Sequence, residues 1–79
     1  MTTGEALGQV KVEREIQDQK WGSQRHLPDL KWFAILGEEV GEAARAILDH
    51  EGKARLQAEL IQVAAVAVAW IEAIEADRI

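Results

Sequence analysis

The sequence predicts an all-α fold built from three helices. Alanine occurs thirteen times and proline once in 79 residues, a composition that favours helices. No segment shows the alternation of apolar and polar residues between turns that is typical of strands. Apolar residues recur instead at intervals of three and four, and two short segments containing glycine interrupt the pattern. We therefore expect a single helical domain over residues 1–79.

The first helix is expected over residues 4–20. A modest apolar stripe marks one of its faces, and polar residues fill the other. The stripe consists of Leu7, Val10, Val12 and Ile16. Gly22 can adopt the left-handed conformation that ends a helix. Residues 23–28 should form an irregular connection, because Pro28 keeps the preceding residue out of the helical region.

The second helix is expected over residues 30–49, with Asp29 as its N-terminal cap. One side of this helix should pack, through Phe33, Leu36, Val40, Ala43, Ala44 and Ile47. Gly37 and Gly41 lie inside the helix, where each costs about 1 kcal/mol relative to alanine. The close approach of another helix or of a ligand would compensate for that cost.

The third helix is expected over residues 53–77, and it is apolar on all sides. Every residue from 60 to 71 is apolar except Gln62. A membrane span takes about 20 such residues, and here Glu59, Gln62 and Glu72 interrupt the run. In a short soluble chain such a helix must be covered on both faces, and two further helices can cover only part of it. We therefore expect an obligate oligomer.

The composition excludes several classes of function. The net charge of −5 argues against a surface for nucleic acids. Cysteine is absent, so no disulfide framework, thiolate zinc site or cysteine nucleophile is expected. The N-terminal residues lack the basic and apolar regions of a signal peptide, and we expect a cytoplasmic protein without a membrane anchor.

Acidic residues gather on the second and third helices. Glu38, Glu39 and Glu42 lie three and four residues apart, within about one turn of one face. Glu59 and Gln62 are three apart in an otherwise apolar helix. If the two helices pack antiparallel, Glu42 and Glu59 come level to within about one turn. Oxygen donors of this kind suit Mg²⁺ or Mn²⁺, although three glutamates on a helix can also form a plain solvated face.

The run Glu38-Glu39-x-x-Glu42, followed after 16 residues by Glu59-x-x-Gln62, resembles a family motif. It is similar to the EExxE…ExxD pattern of the MazG-like, all-α nucleoside triphosphate pyrophosphohydrolases. The resemblance extends over residues 13–74 and includes the Lys20-Trp21-Gly22 stretch. It implies a helical bundle that assembles as a homodimer or homotetramer. It also implies Mg²⁺-dependent hydrolysis of a (d)NTP to the monophosphate and pyrophosphate.

The resemblance assigns roles to individual residues of the motif. Glu39, Glu42 and Glu59 would be metal ligands, and Glu38 would be a further ligand or would orient the attacking water. Glu38 and Glu39 would thus be the catalytic residues. Gln62 stands where the family has its last aspartate. Its amide oxygen can still bind a hard cation, but the lost charge implies weaker metal binding, fewer metals, a different substrate or loss of catalysis.

Other residues are candidates for contacts to a nucleotide. Trp21 could stack on a base whose edge Gln17, Lys20 or Gln24 would contact, or it could close the end of the bundle. Arg45 could hold a phosphate, or it could be an ordinary surface charge. Trp32 and Trp70 are expected in the core or an interface, and His26 and His50 in solvent.

The chemistry of the residues agrees with direct attack by water. A triphosphate is strongly anionic, so an acidic pocket can receive it only through divalent metals, which also lower the pKa of a bound water. No serine, threonine or histidine has the setting of a nucleophile or its base, and there is no glycine-rich phosphate loop. Two alternatives remain open: a non-catalytic module that binds nucleotide or metal, and a helical oligomerisation module.

Overall fold

The chain folds into three α-helices in a computed structural model that describes residues 1–23 and 25–77. Helix α1 spans Thr3–Trp21, α2 spans Asp29–Leu48 and α3 spans Lys53–Asp77. The described residues contain no strand. The all-α prediction is therefore confirmed, and each predicted helix boundary lies within one residue of the observed one.

Helix α1 is closed at both ends by local hydrogen bonds. The Thr2 hydroxyl accepts from the Glu5 amide, and the Glu5 carboxylate accepts from the Thr2 amide, both at 3.1 Å. This reciprocal cap lowers the pKa of Glu5, chiefly through the hydrogen bond from the Thr2 backbone. At the other end Gly22 has a φ of 90°, and its amide donates to the Asp18 carbonyl at 2.8 Å. The predicted stop at Gly22 is confirmed.

Helix α2 begins one residue earlier than predicted, at Asp29 itself. Pro28 holds the cap position, and Asp29 is already the first helical residue. The prediction that Asp29 caps the helix is wrong. Asp29 lies one residue inside the helix, and no side chain makes a cap hydrogen bond at this end of α2. The Asp29 Oδ1 accepts instead from the indole nitrogen of Trp70 at 3.0 Å. That bond joins the start of α2 to the C-terminal half of α3.

Helix α3 is the central element of the fold. It packs against both α1 and α2, whereas α1 and α2 make no mutual contact among the described residues. The short turn between α2 and α3 contains two residues of positive φ, His50 at 52° and Gly52 at 96°. It returns the chain so that Trp32 near the start of α2 packs against Val66 and Ala69 of α3. Helices α2 and α3 therefore form an antiparallel hairpin, and α1 packs on its α3 side.

The apolar core is small and lies between α2 and α3. Trp32 is only 2% exposed, and Trp70 packs against the same cluster. The rings of Phe33 and Trp70 lie 6.5 Å apart at 54° to one another. The prediction that Trp32 and Trp70 are packed residues is thus confirmed.

Helix α1 is anchored by polar rather than apolar side chains. Its buried residues are Val10, Arg14 and Gln17. Three of the four residues of the predicted apolar stripe are half-exposed or more: Leu7, Val12 and Ile16. The expectation of an apolar packing face on α1 is therefore wrong.

Arg14 explains why this face is buried. Its guanidinium donates to both carboxylate oxygens of Glu72 on α3, at 2.7 and 3.3 Å. It also donates to Gln17 at 3.0 Å and to Asp18 at 2.8 Å. Polar side chains can be buried when their hydrogen bonds are satisfied in this way. Hydrogen bonds among charged and polar side chains, rather than the apolar stripe, thus hold α1 against α3.

The apolar residues of α2 divide between two faces. Ala43 and the half-buried Leu36 face α3, as expected. The other four residues predicted to pack are exposed: Phe33, Val40, Ala44 and Ile47. Gly37 and Gly41 share their side of the helix, and a Cβ added at either would meet nothing within 4 Å. Within the single chain the cost of these glycines is therefore not compensated by a close neighbour.

Helix α3 also keeps an uncovered apolar side. Leu60 is 52% exposed and Ile71 is 65% exposed. The expectation that α1 and α2 cover only part of α3 is confirmed. The segment 53–76 is long and apolar enough to cross a membrane by length and composition alone, which is weak evidence because helices of soluble proteins meet the same criterion.

We expect Arg14→Ala to lower the free energy of unfolding by about 2 kcal/mol, because it leaves Gln17 buried without its partner and removes the link to Glu72. Urea denaturation followed by circular dichroism measures this change. Arg45→Ala is the matched control, since Arg45 forms an exposed pair with Asp49 at 3.9 Å with the same spacing in the helix. It should change stability by less than about 0.5 kcal/mol. Equal losses in the two variants would contradict the anchoring role of Arg14.

Candidate acidic site and neighbouring pocket

A groove runs along α3 between the two helices that pack on it. Because α1 and α2 both contact α3 and not each other, the residues of α3 between them form its floor. Acidic side chains lie on α2 and α3, and a pocket formed by all three helices lies towards the C-terminal end of α1. The candidate site thus has two parts.

Glu59 and Glu39 form the centre of the acidic part. Glu59 is buried, at 7% exposure, and its Oε1 forms an ion pair with the Arg55 guanidinium one turn earlier, at 2.9 Å. Glu39 is half-buried on the face of α2 that packs against α3. Burial raises the pKa of Glu39, and the charge of Glu59 is the next largest cause. The charge of Glu59 on α3 therefore raises the pKa of Glu39 across the α2–α3 hairpin.

Three further carboxylates contribute to the raised pKa of Glu39. They belong to Glu42, Glu38 and Glu13, in order of decreasing effect. Glu38 and Glu42 are exposed, on the flank of α2 rather than on its packed face. We refer to Glu13, Glu38, Glu39, Glu42 and Glu59 as the acidic cluster. Glu38, Glu42 and Glu59 therefore all contribute to the raised pKa of Glu39, and the first two of them are exposed.

Glu13 is the member of the acidic cluster that sequence reasoning missed. It is half-buried on α1 and lines a cavity of about 310 Å³ between α1 and α3. Gln62, the residue that replaces the last aspartate of the motif, lines the same cavity. The sequence does not indicate this position for Glu13, because Glu13 belongs to the polar face of the predicted first helix. The burial of the neighbouring Arg14 shows which face of α1 packs against α3.

The acidic cluster has the donor chemistry of a hard cation site. Carboxylate oxygens together with the half-buried amide of Gln62 are the donors that Mg²⁺ and Mn²⁺ prefer. In the part of the chain that the structure describes, however, no three acidic or histidine side chains are already arranged to hold one ion. Arg55 occupies one oxygen of Glu59. The side chains thus have donor atoms of the type that such a cation prefers, and the set of metal ligands remains a prediction.

The pocket beside the acidic cluster has a volume of about 280 Å³. Arg14 and Asp18 of α1 and Glu72 of α3 line one side, and Trp32 of α2 lines another. Arg25 from the connecting segment adds a second guanidinium, which lies 4.7 Å from the centre of the Trp32 ring. The sequence did not predict this pocket, since it depends on three elements that are far apart along the chain.

The predicted nucleotide-binding residues lie in different settings. Trp21 is 52% exposed, and the Lys20 ammonium lies 4.6 Å from its ring centre, so Trp21 does not close the end of the bundle in this chain. Gln17 is 3% exposed and its Oε1 is bonded to Arg14, so a base could reach it only if that network opened. Arg45 is exposed near the end of α2. Gln24 lies outside the described residues.

Both histidines are exposed, as predicted for solvated side chains. His26 lines the pocket next to Arg25, and His50 lies in the turn between α2 and α3.

Comparisons with protein-family models, with curated proteins and with solved structures found no match. The functional argument therefore rests on the residues and their geometry.

We expect Glu39→Gln to stabilise the metal-free protein at neutral pH. The fold raises the pKa of Glu39 above its ordinary value of 4.5, so the ionised carboxylate destabilises the folded state. The stability that its protonated form contributes is present below pH 4.5 and is lost as the pH rises through the higher folded pKa. The variant should therefore melt at a higher temperature than the wild type at neutral pH, and the difference should shrink as the pH falls below 4.5.

Thermal melts in EDTA across this pH range provide the measurement. Glu15→Gln, which removes an exposed carboxylate of α1, serves as the control and should not reproduce the pH-dependent gain. A lower melting temperature for Glu39→Gln at neutral pH would contradict the electrostatic cost assigned to Glu39.

Proposed function

We propose that the protein is a metal-dependent nucleoside triphosphate pyrophosphohydrolase of the MazG-like class. The observation that carries this proposal is the acidic cluster, in which a half-buried Glu39 has a raised pKa beside the buried Glu59. Gathering like charges at a partly desolvated position costs stability, and such sites are often functional. A divalent cation would relieve that cost, and the order of the glutamates along the chain resembles the motif of this class.

The proposed ligands of the cation are Glu39, Glu42, Glu59 and the amide oxygen of Gln62. The bound ion would neutralise phosphate charge and lower the pKa of water. Glu38 is exposed and free to turn, so it is suited either to a further ligand position or to orienting the attacking water. Glu59 would exchange its bond to Arg55 for the cation. Arg55, which is itself largely exposed, could then turn to solvent or towards a phosphate oxygen.

Glu13 bears on the absence of the usual aspartate at position 62. Because Glu13 and Gln62 line the same cavity, a negative charge remains close to the place where the motif would supply one. This favours retained metal binding over a site made inactive by Gln62.

The substrate proposed for the site is a nucleoside triphosphate with its phosphates at the acidic cluster. Trp21 and Lys20 would contact the base end, from the exposed side of the α1 terminus. Gln17 is buried and would contribute indirectly, through the hydrogen bond that its side-chain oxygen accepts from Arg14. Arg45 would contact phosphate only if the nucleotide extends towards the α2–α3 turn, since its present partner is the nearby Asp49.

We further propose that the protein is a homodimer, or a pair of dimers, formed through the uncovered apolar side of the α2–α3 hairpin. On each helix this side follows the alternating spacing of three and four residues that is typical of helix-to-helix seams. The α2 seam consists of Leu30, Phe33, Gly37, Val40, Ala44 and Ile47. The α3 seam consists of Leu60, Ala64, Ala67, Ile71 and Ile74.

The surroundings of the two seams favour a second copy of this chain as the partner. All six α2 positions are exposed, and the α3 seam includes the exposed Leu60 and Ile71. Helical periodicity in an antiparallel hairpin puts both seams on the side away from α1, and neither contains a charged residue. The open space at Gly37 and Gly41 would admit a second helix closely. A second copy presents the same uncharged surface, so the two can pair symmetrically.

Two other functions are each favoured by one observation. Gln62 favours a module that binds nucleotide or metal without turnover. The exposed seams favour a helical oligomerisation module without a small-molecule site. A cytoplasmic location remains a prediction from the sequence.

The first experiment is product analysis after incubation with a panel of NTPs and dNTPs in Mg²⁺, Mn²⁺ or EDTA. We expect metal-dependent release of monophosphate and pyrophosphate. Glu42→Gln should reduce the rate by at least about a hundredfold, because it removes a proposed metal ligand. Lys31→Gln, which removes an exposed charge near the start of the same helix, is the control and should keep most of the activity.

The possible outcomes separate the alternatives. Release of orthophosphate would point to a different hydrolase class. Absence of turnover in wild type and in Gln62→Asp, with Mg²⁺ raising the melting temperature, would favour the binding module. If the protein neither turns over a nucleotide nor changes its melting temperature with Mg²⁺, the oligomerisation module remains as the explanation.

The dimer is tested with Ile71→Glu, which puts a charge at an exposed position of the α3 seam. Sedimentation equilibrium should show the wild type as a dimer or tetramer and the variant shifted to monomer, with at least about a hundredfold weaker association. Ile16→Glu is the matched control, since Ile16 is similarly exposed on α1, away from the seams. A monomeric wild type, or equal behaviour of the two variants, would contradict the proposed interface.

A further inference from the structure

Arg55 is the one cation among the described residues that forms an ion pair with the acidic cluster. Its Nη2 lies 2.9 Å from the Oε1 of Glu59, one turn later in α3. The two side chains differ in exposure, since 56% of the Arg55 side chain is exposed but only 9% of the Glu59 side chain is. Arg55 can therefore leave the pair for solvent, whereas Glu59 is held within the fold.

The position of Arg55 on α3 keeps it next to the proposed metal ligands. Arg55, Glu59 and Gln62 are separated by four and three residues, so they follow one another along one face of the helix. Glu59 and Gln62 are the two ligands proposed on α3. The guanidinium of Arg55 thus occupies a carboxylate oxygen that a cation at this site would need.

The ion pair also explains how the metal-free protein tolerates the buried Glu59. The other members of the acidic cluster are all carboxylates, and a buried charge without a countercharge is strongly destabilising. Arg55 supplies the countercharge from the exposed end of its side chain. A divalent cation bound to Glu59 would supply the same countercharge, so Arg55 and the cation compete for one carboxylate.

The guanidinium of Arg55 is well suited to bind phosphate when it is not paired with Glu59. Arginine stays charged at all relevant pH values, and its planar set of donors matches two oxygens of a phosphate group. The side chain begins one turn from Glu59 and is more than half exposed. It can therefore turn towards a polyphosphate at the acidic cluster without any movement of α3.

We propose that Arg55 exchanges partners when ligands bind: it pairs with Glu59 in the metal-free protein and with a phosphate oxygen of the substrate in the complex with cation. The proposal rests on the proposed function in taking a metal-bound polyphosphate chain as the ligand. Arg55 then couples the two binding events, because a phosphate group that holds Arg55 leaves Glu59 available to the cation. Such coupling is reciprocal, so the cation also strengthens the binding of phosphate through Arg55.

The first measurement is the affinity for Mn²⁺ alone, by isothermal titration calorimetry without any phosphate compound. Arg55→Gln removes the competitor for Glu59 and should bind Mn²⁺ at least about fivefold more tightly than the wild type. Lys53→Gln is the matched control. It removes the same charge from an exposed position of α3 about 200° around the helix from Arg55, and it should change the affinity less than about twofold.

The second measurement is the affinity for inorganic tripolyphosphate in saturating Mg²⁺, which provides the phosphate chain without a base. Arg55→Gln should bind tripolyphosphate at least about tenfold more weakly than the wild type, because it lacks the charged donors. Lys53→Gln should stay within about threefold of the wild type. The opposite signs of the two effects identify partner exchange, since a residue that only supports the fold would weaken both ligands.

The stability of Arg55→Gln provides an independent check, because this variant leaves Glu59 buried without its partner. It should melt at a lower temperature than the wild type in EDTA, and Mg²⁺ should remove most of that difference. If the variant is unfolded in EDTA, as judged by circular dichroism, we expect Mg²⁺ to restore the helical signal. A variant that stays unfolded in Mg²⁺ would overturn the proposal, because a cation should replace Arg55 as the partner of Glu59.

The proposal is also overturned if the wild type does not bind Mn²⁺, or if Arg55→Gln binds Mn²⁺ no more tightly or tripolyphosphate no more weakly than the wild type. These results are separate from the test of the hydrolase. Opposite shifts for the two ligands without turnover of any triphosphate would keep the role of Arg55 and reject the hydrolase. Turnover of triphosphates with unchanged Mn²⁺ affinity in Arg55→Gln would reject the exchange and keep the hydrolase.

Discussion

The structure depends on α3, the one helix that contacts both of the others. A chain of three helices cannot surround a helix that is apolar on all sides, so α3 has a covered side and an open side. On the covered side it meets α2 through a small core around Trp32. It meets α1 through the bonds from Arg14 to Glu72, which depend on direction and distance far more than apolar contact does. The position of α1, and with it the shape of the groove, is therefore set largely by one guanidinium.

The acidic cluster has a cost that the rest of the fold must offset. Glu59 is buried with Arg55 as its one ion-pair partner among the described residues, and Glu39 is desolvated among negative charges. In a domain of this size the core supplies little excess stability, so such an arrangement is not expected unless it serves a purpose. The same reasoning applies to Gly37 and Gly41, whose cost is not compensated within the single chain. Under the proposed function, a bound cation would offset the cost of the charges and a second copy of the chain would offset the cost of the glycines.

The sequence predicted the helices well because their ends are local features. Gly22 ends α1 and Gly52 lies in the turn directly before α3, and the positive φ of each can be inferred from residue type alone. It predicted the faces of α1 poorly, because Leu7, Val12 and Ile16 resemble a packing stripe until the hydrogen bonds of Arg14 are known. Glu13 and the pocket at Trp32 were missed for the same reason. Both depend on which side of α1 meets α3, and that choice is made by a contact between residues 14 and 72.

The two sides of the α2–α3 hairpin have opposite chemical character, and this separation has a consequence for how the chain can change. Glu38, Glu39 and Glu42 alternate along α2 with seam residues such as Gly37 and Val40, so neighbours in sequence lie on different surfaces. Helical periodicity keeps these surfaces apart in space although they are interleaved along the chain. A substitution at a seam position can therefore alter assembly without touching a carboxylate. An insertion of one residue in α2 would rotate every glutamate after it by about 100° relative to those before, and would damage both surfaces at once.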